Sequence, residues 1–158
     1  MTTNRQRVIF VCTHNSARSQ MAEAMLRTWG KDRFEAFSAG TEATRVRPEA
    51  IAVMDEIGID ISGHRSKTLE PFLGEAFSWL ITVCDQAKES CPTIPGVNQQ
   101  VHWSLDDPSA VEGTREERLE AFREARDILR DRIHLFVLAA SRGDLPQPAA
   151  QRIGGDTD

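Results

Sequence analysis

The sequence lacks several features that mark large classes of protein. No apolar run approaches the length of about 20 residues that crosses a bilayer. The N-terminal MTTNRQR leads into VIFV without the apolar core or cleavage site of a signal peptide. Basic residues are not in excess, since the formal net charge is −5, and internal repeats are missing. We therefore expect a cytoplasmic protein with no nucleic-acid or membrane partner.

Cysteine is also scarce. Only three cysteines occur in 158 residues, and an odd number in a chain of this length is not a secreted disulfide framework. In a reducing compartment, Cys12, Cys84 and Cys91 are expected to be core residues, metal ligands or redox groups. Zinc is the weakest of these options, because the Cys84-x6-Cys91 spacing, taken with His102, is poor for a structural site.

What is present predicts one α/β domain. The chain is long enough for a single substantial core, and apolar runs alternate with helical periodicity, which favours a parallel sheet with helices. The tail after Gly143 carries little apolar surface, so we expect a domain over 1–142 and disorder over 143–158. The expected strands cover about 7–12, 34–38, 79–84 and 100–103; the expected helices cover about 19–29, 48–57 and 115–140.

The stretch VCTHNSARS places a thiol at the end of the first strand and Arg18 six residues later. A strand, a tight polar loop and a helix N-terminus can form an anion site, because the first amides of the helix and its dipole face the ligand. Arg18 can contact a tetrahedral oxyanion with two N–H groups. The same amides stabilise a thiolate at Cys12, and Ser19 could donate its hydroxyl to that sulfur.

The alternative for Cys12 is a small buried residue at a strand end, where free cysteine is common. The pattern Cys-x5-Arg is short and has many chance matches. Its position at a strand-to-helix junction, however, is the structural context that the chemistry requires. The loop therefore indicates an oxyanion cradle with a nucleophile in its floor.

Five segments in order resemble the thioredoxin-coupled arsenate reductases: VCTHNSARSQMAEAM, FSAGTEATRVRPEAI, IGIDISGHRSKTL, TVCDQAKESCP and HWSLDDP. The resemblance covers roughly Val8 to Ala140. It implies the low-molecular-weight protein tyrosine phosphatase fold, with a three-layer, flavodoxin-like four-stranded parallel sheet flanked by helices. It also implies an enzyme of arsenic detoxification that binds no cofactor and receives electrons from thioredoxin, ultimately from NADPH. Phosphate and sulfate are expected to compete with arsenate, and a monomer is expected.

The resemblance assigns roles to individual residues. Cys12 is the expected nucleophile, and Asp107, directly before Pro108, is the expected general acid that protonates the departing oxygen. An Asp-Pro pair is also a common start of a surface turn, which is the alternative for Asp107. The residues expected to hold the oxyanion are Thr13, His14, Asn15, Ser16, Ala17 and Arg18.

The resemblance also implies a relay of thiols. Cys84 is expected to attack Cys12, and Cys91 then attacks Cys84. Neighbouring strands lie about 4.8 Å apart, so Cys12 and Cys84, each the last residue of its strand, are predicted to meet. If residues 85–91 are helical they span about 10.5 Å, and forming the second disulfide must unwind them.

A second group of residues is expected to support the loop. Asn15, Glu23 and Ser38 match positions that in some relatives hold the loop rigid, in places with a bound potassium ion. The aspartate that binds the ion there is Lys67 here, so we expect its ammonium group to replace the ion, with a solvated lysine as the alternative. His14 replaces a glycine, and its side chain is expected to point outward. The remaining histidines, His64, His102 and His134, are interpreted as structural or surface residues.

Two other functions remain open. A phosphatase needs only one thiolate, and Cys-x5-Arg alone fits it. However, the chain has no tyrosine and SAVEG follows Asp107–Pro108, whereas a phosphotyrosine pocket needs flat apolar walls. An arsenite sensor with three thiols would bind without turnover, although an output domain is not visible. Glutaredoxin or a small thiol could also take the place of thioredoxin.

Overall fold

The computed structural model describes residues 5–85 and 100–154. Cys91 and the turn predicted around it lie outside the described residues, as do 1–4 and 155–158. The strands are β1 (Gln6–Cys12), β2 (Phe34–Gly40), β3 (Ala76–Phe77), β4 (Trp79–Cys84), β5 (Gln100–Ser104) and β6 (Gln151–Arg152). The helices are α1 (Arg18–Trp29), α2 (Pro48–Asp55) and α3 (Arg115–Ser141), with short 3₁₀ helices at Glu70–Phe72 and Pro108–Ala110.

The central sheet has four parallel strands in the order β2-β1-β4-β5. Both inner strands are rich in β-branched and other apolar residues, and every residue of β4 is buried, as expected for strands covered on both faces. Because all four strands run in the same direction, their carboxyl ends meet at one edge. The predicted four-stranded parallel sheet with flanking helices is confirmed.

The larger core lies between one face of the sheet and the three helices. The predicted face of α1 contributes Met21 and Met25, both fully buried. Helix α3 begins with the predicted capping box, in which Thr114 and Glu117 exchange hydrogen bonds between side chain and backbone. None of the helices within 5–85 and 100–154 combines the length and apolar character needed to span a membrane. The α3 residues in this core are Leu119, Phe122, Ala125, Leu129, Ile133 and Phe136.

The opposite face carries a smaller core that includes part of the C-terminal tail. Strand β6 pairs antiparallel with β3, and Ile153 is fully buried in a cluster with Phe72, Phe77 and Leu80. The Ile153 N–H donates to the carbonyl of Glu75 at 3.0 Å. The expected disorder of the tail is therefore wrong for residues up to Gly154. Burying one isoleucine side chain is worth about 1.5–3 kcal/mol, which an average over a polar segment hides.

Candidate active site

Cys12 lies at the end of β1 as a buried free thiol. Its Sγ is 2.8 Å from the hydroxyl oxygen of Ser19, and the Asn15 N–H donates to it at 3.2 Å. The side-chain amide of Asn15 donates to the Ser19 hydroxyl at 2.7 Å. Hydrogen-bond donors thus converge on the sulfur, an arrangement that stabilises a thiolate.

Asn15 has an uncommon backbone conformation, with φ of 50°. Asparagine enters this left-handed region more readily than most residues. Its side-chain oxygen accepts hydrogen bonds from the Gln20 side chain and from the Lys67 N–H, both at 2.8 Å. Gln20 also donates to the carbonyl of Arg65 at 2.7 Å. These contacts hold the loop in a conformation that it would not adopt alone.

The rest of the loop is attached to the segments that follow β2 and α2. The Glu42 N–H donates to the carbonyl of Thr13 at 2.9 Å, and the Ser66 hydroxyl donates to the carbonyl of His14 at 2.7 Å. Gly40 lies against the loop so closely that an added Cβ would stand 2.8 Å from both Asn15 N and the Thr13 carbonyl oxygen. Only glycine allows this approach without a shift of the backbone.

Helix α1 begins directly after the loop, with Ala17 as its N-cap. No side chain among the described residues caps it, and its first turn contains no acidic residue. Its first amides are therefore available to an anion. The side chain of Arg18 is buried, with Nη1 donating to the carbonyl of Leu105 at 3.0 Å and Nη2 lying 3.8 Å from a carboxylate oxygen of Asp107.

Asp107 is itself held in place near Arg18. Its other carboxylate oxygen accepts a hydrogen bond from the Ser109 N–H at 2.9 Å, which caps the short 3₁₀ helix. The Asp107 side chain remains one-quarter exposed. A carboxyl group beside the guanidinium is therefore both oriented and reachable by substrate and water, as a general acid requires.

The supporting residues also lie together. The Ser38 hydroxyl donates a short hydrogen bond to one carboxylate oxygen of Glu23, and Lys67 Nζ lies 3.9 Å from the same oxygen. Lys67 Nζ also donates to the Ser38 hydroxyl at 3.5 Å and to the carbonyl of Arg65 at 3.2 Å. Burial lowers the pKa of Lys67, and the carboxylate of Glu23 opposes that shift. The Lys67 side chain is thus turned inward, not fully solvated.

Cys84 is buried at the end of β4, but the strand register does not place it opposite Cys12. The paired residues Val11 and Thr82 make Val83 the neighbour of Cys12. Side chains alternate along a strand, and Val83 belongs to the helix-side core. Cys84 therefore faces the other side of the sheet, with Thr82. The strands are adjacent as predicted, but the expected direct meeting of Cys12 and Cys84 does not occur in this register.

The structure brings most of the predicted site residues together. Cys12, the loop 13–17, Arg18, Ser19 and Asp107 share one edge of the sheet. The His14 side chain points outward, 43% exposed, with Nε2 3.3 Å from a carboxylate oxygen of Glu42. Sequence reasoning missed Gln20 and the close packing of Gly40. A polar residue in the first turn of a helix and a glycine at a strand end were the available signals.

Comparisons with known proteins identify related chains. The family described as low molecular weight phosphotyrosine protein phosphatase matches residues 7–143. An arsenate reductase of Halalkalibacterium halodurans is 43% identical over 137 residues, covering 84% of this chain and 96% of that protein. A solved arsenate reductase in the phosphate binding state is 34% identical, with a TM-score of 0.71, covering 84% of this chain and 97% of that one. A thioredoxin-dependent arsenate reductase of Corynebacterium glutamicum is 26% identical with a TM-score of 0.54, covering 85% and 65%.

Proposed function

Because the chain belongs to the low molecular weight phosphotyrosine protein phosphatase family and resembles arsenate reductases within that fold, we propose that it reduces arsenate to arsenite. The observation that carries the proposal is the buried thiol of Cys12, which accepts the Asn15 N–H inside the loop before α1. The solved relative in a phosphate binding state supports a tetrahedral oxyanion as the ligand. Phosphate has nearly the shape and charge of arsenate, so phosphate is expected to compete for the site.

In the first step the Cys12 thiolate attacks arsenic. The amides of residues 13–18 and the Arg18 guanidinium hold the oxyanion and stabilise the charge on its oxygens. A bond forms between Cys12 Sγ and arsenic while one arsenic–oxygen bond breaks. Asp107 gives its proton to the departing oxygen, which leaves as water. Arsenic is still pentavalent at this point.

In the second step the Cys84 thiolate attacks Cys12 Sγ. A disulfide forms between the two cysteines, and the sulfur–arsenic bond breaks with its electron pair remaining on arsenic. Arsenic is thereby reduced from the pentavalent to the trivalent state and leaves as arsenite. Because Cys84 faces away from Cys12, this step requires the end of β4 to rearrange. A disulfide needs Cα atoms about 4.4–6.8 Å apart and correctly directed Cβ atoms.

In the third step Cys91 attacks Cys84 and releases the Cys12 thiolate. A dithiol then reduces the Cys84–Cys91 disulfide and is itself oxidised. We assign thioredoxin to this role, since a related arsenate reductase is thioredoxin-dependent, and a cytoplasmic location would provide it. The predicted unwinding of 85–91 concerns residues that, apart from Asp85, lie outside the described part of the chain.

A phosphatase activity is the second candidate function. The family match itself favours it, and the arrangement of Cys12, Arg18 and Asp107 contains what a phosphoryl transfer through a thiolate requires. Only the two further cysteines distinguish the activities, because a phosphatase has no step for Cys84 or Cys91. Phosphate esters are therefore expected to be slow substrates at most.

The test combines the purified protein with arsenate, thioredoxin, thioredoxin reductase and NADPH, and follows the loss of NADPH. Hydrolysis of para-nitrophenyl phosphate is measured in parallel. We expect arsenate-dependent NADPH oxidation that stops in Cys91→Ser after one equivalent of arsenite, with a Cys12–Cys84 disulfide trapped. Full multiple turnover by Cys91→Ser would refute the relay, and rapid ester hydrolysis without arsenite formation would favour the phosphatase.

A further inference from the structure

The face of the sheet that carries Cys84 also carries a paired threonine and histidine. The register of β4 and β5 places Thr82 beside His102 and Cys84 beside Ser104. Thr82, Cys84, His102 and Ser104 therefore share one face, since side chains alternate along each strand. His102 is the diagonal neighbour of Cys84. The strand spacing and rise put their Cα atoms about 8 Å apart, a gap that an imidazole and a thiol side chain can close.

The contacts of Thr82 define the protonation of the imidazole. Its hydroxyl oxygen lies 2.7 Å from His102 Nδ1 and 3.5 Å from the carbonyl oxygen of Val101. The hydroxyl has one proton, and the carbonyl can only accept it. When Thr82 donates to Val101, Nδ1 must carry the ring proton and donate to the hydroxyl oxygen. His102 Nε2 then keeps its lone pair.

His102 Nε2 is buried, and it has no hydrogen-bond partner within the described residues. A buried polar atom without a partner costs about 1–3 kcal/mol, so such atoms require an explanation. The general acid Asp107, the anion loop and Arg18 all lie elsewhere and do not use this nitrogen. A proton acceptor beside the second cysteine of the relay supplies the missing explanation.

We propose that His102 accepts the proton of the Cys84 thiol and that Thr82 is the positioning residue that holds its imidazole ready. This inference rests on the proposed arsenate reduction. The thiol transfers its proton to Nε2, which gives a thiolate and an imidazolium. The thiolate then attacks Cys12 Sγ, the sulfur–arsenic bond breaks, and the electron pair stays on arsenic. The imidazolium returns its proton to water once arsenite has left.

Few other charges act on this pair. Among the described residues that the two strands place around His102, only Cys84 and the buried Asp85 are ionisable. Thr82, Gln100 and Ser104 are neutral. A thiolate is the nucleophilic form of cysteine, and an ordinary thiol is mostly protonated at neutral pH. A base is therefore most useful at this position, because Cys84 lies outside the cradle of amides that serves Cys12.

The experiment uses a single turnover in the Cys91→Ser background. Arsenite release and Cys12–Cys84 disulfide formation are followed by rapid quenching between pH 6 and pH 9, with and without His102→Gln. We expect His102→Gln to slow both by at least tenfold at pH 7, within the range of about 10²–10⁴ for general bases. Its rate should keep rising up to about pH 9, because ordinary thiols ionise near pH 8.5. Phosphate should still protect Cys12 from alkylation in this variant, which shows that the cradle is intact.

A matched pair at the neighbouring position tests the geometry. Thr82→Ser keeps the hydroxyl and should keep the rate within about twofold, whereas Thr82→Val removes it and should slow the disulfide step several-fold. Equal rates and pH profiles for His102→Gln and its parent would overturn the inference. If His102→Gln does not fold, equal rates for the two Thr82 variants would overturn it as well. Failure of the parent to release any arsenite would instead refute the proposed function.

Discussion

The ends of β1 and β4 carry the two cysteines, and they differ in what surrounds them. At the end of β1, Cys12 Sγ is linked to the Ser19 hydroxyl and the Asn15 N–H, and side chains from α1 and the segment after α2 fix the loop. At the end of β4, Cys84 continues one residue beyond the level of Cys12 and faces the opposite side of the sheet. The site is thus preorganised for attack on an oxyanion, whereas the disulfide step requires backbone movement.

The largest effects should separate these two ends. Cys12→Ser should abolish arsenite formation, because no nucleophile remains. Cys84→Ser should also abolish it but leave the cradle functional. The check is alkylation of Cys12 in Cys84→Ser, which phosphate should slow as it does in the wild type. Loss of phosphate protection in Cys84→Ser would show that the two ends are not independent.

Arg18→Lys is expected to have the next largest effect. Lysine keeps the charge but loses the planar fork that holds an oxyanion and contacts the carbonyl of Leu105. Removing a positioned donor of this kind costs about 10²–10³-fold in rate. Steady-state kinetics with arsenate should show this loss at an unchanged thermal midpoint. A loss below tenfold would mean that the backbone amides alone hold the anion.

Gly40→Ala tests how tightly the loop is packed. The new Cβ would stand 2.8 Å from two backbone atoms of the loop, so we expect a loss of stability of about 1–3 kcal/mol and a weaker affinity for phosphate. The matched control is Gly63→Ala, since an added Cβ there has no atom within 4 Å. Denaturant unfolding and phosphate titration of both variants measure the difference. Similar results for the two variants would contradict the close packing.

Lys67 provides a smaller test of the same loop. Its ammonium group lies among Glu23, Ser38 and the carbonyl of Arg65, where a cation is expected in some relatives. We predict that replacing sodium by potassium leaves the wild-type rate unchanged. Lys67→Asp should lower activity in sodium and regain part of it in potassium. A clear stimulation of the wild type by potassium would contradict this assignment.

The smallest expected effect is a dependence of stability on pH. Burial lowers the pKa of His64 below its ordinary value of 6.5, and the charges of Arg27 and Lys67 lower it further against the opposing effect of Glu23. The unfolded chain therefore holds more protons than the folded one just below pH 6.5. Stability should rise with pH through this window and level off above it. Thermal midpoints of the wild type and His64→Gln should converge above pH 7 and differ below it.

Much of the fold follows from local sequence. The apolar run Trp79–Cys84 fixes β4 at its observed bounds, and Thr114 with Glu117 marks the start of α3. The tail was mispredicted because one residue, Ile153, anchors it through long-range contacts with Phe72 and Phe77. Composition averages over a segment and does not detect a single anchor.

The site was predictable where chemistry dictates the residue type and unpredictable where three-dimensional register decides. Cys12, Arg18 and Asp107 follow from the strand–loop–helix pattern and the resemblance. The one-residue stagger between Cys12 and Cys84 does not, because it depends on how β1 and β4 align. The role of Gln20 also escapes sequence reasoning, since its partners are backbone atoms brought close only by folding.

The most direct measurement is a map of the thiols after the reduced protein has reacted with one equivalent of arsenate in the absence of any reductant. The account predicts one arsenite per protein, a disulfide between Cys84 and Cys91, and a free thiol at Cys12. Arsenite formed with all three thiols still reduced would contradict it.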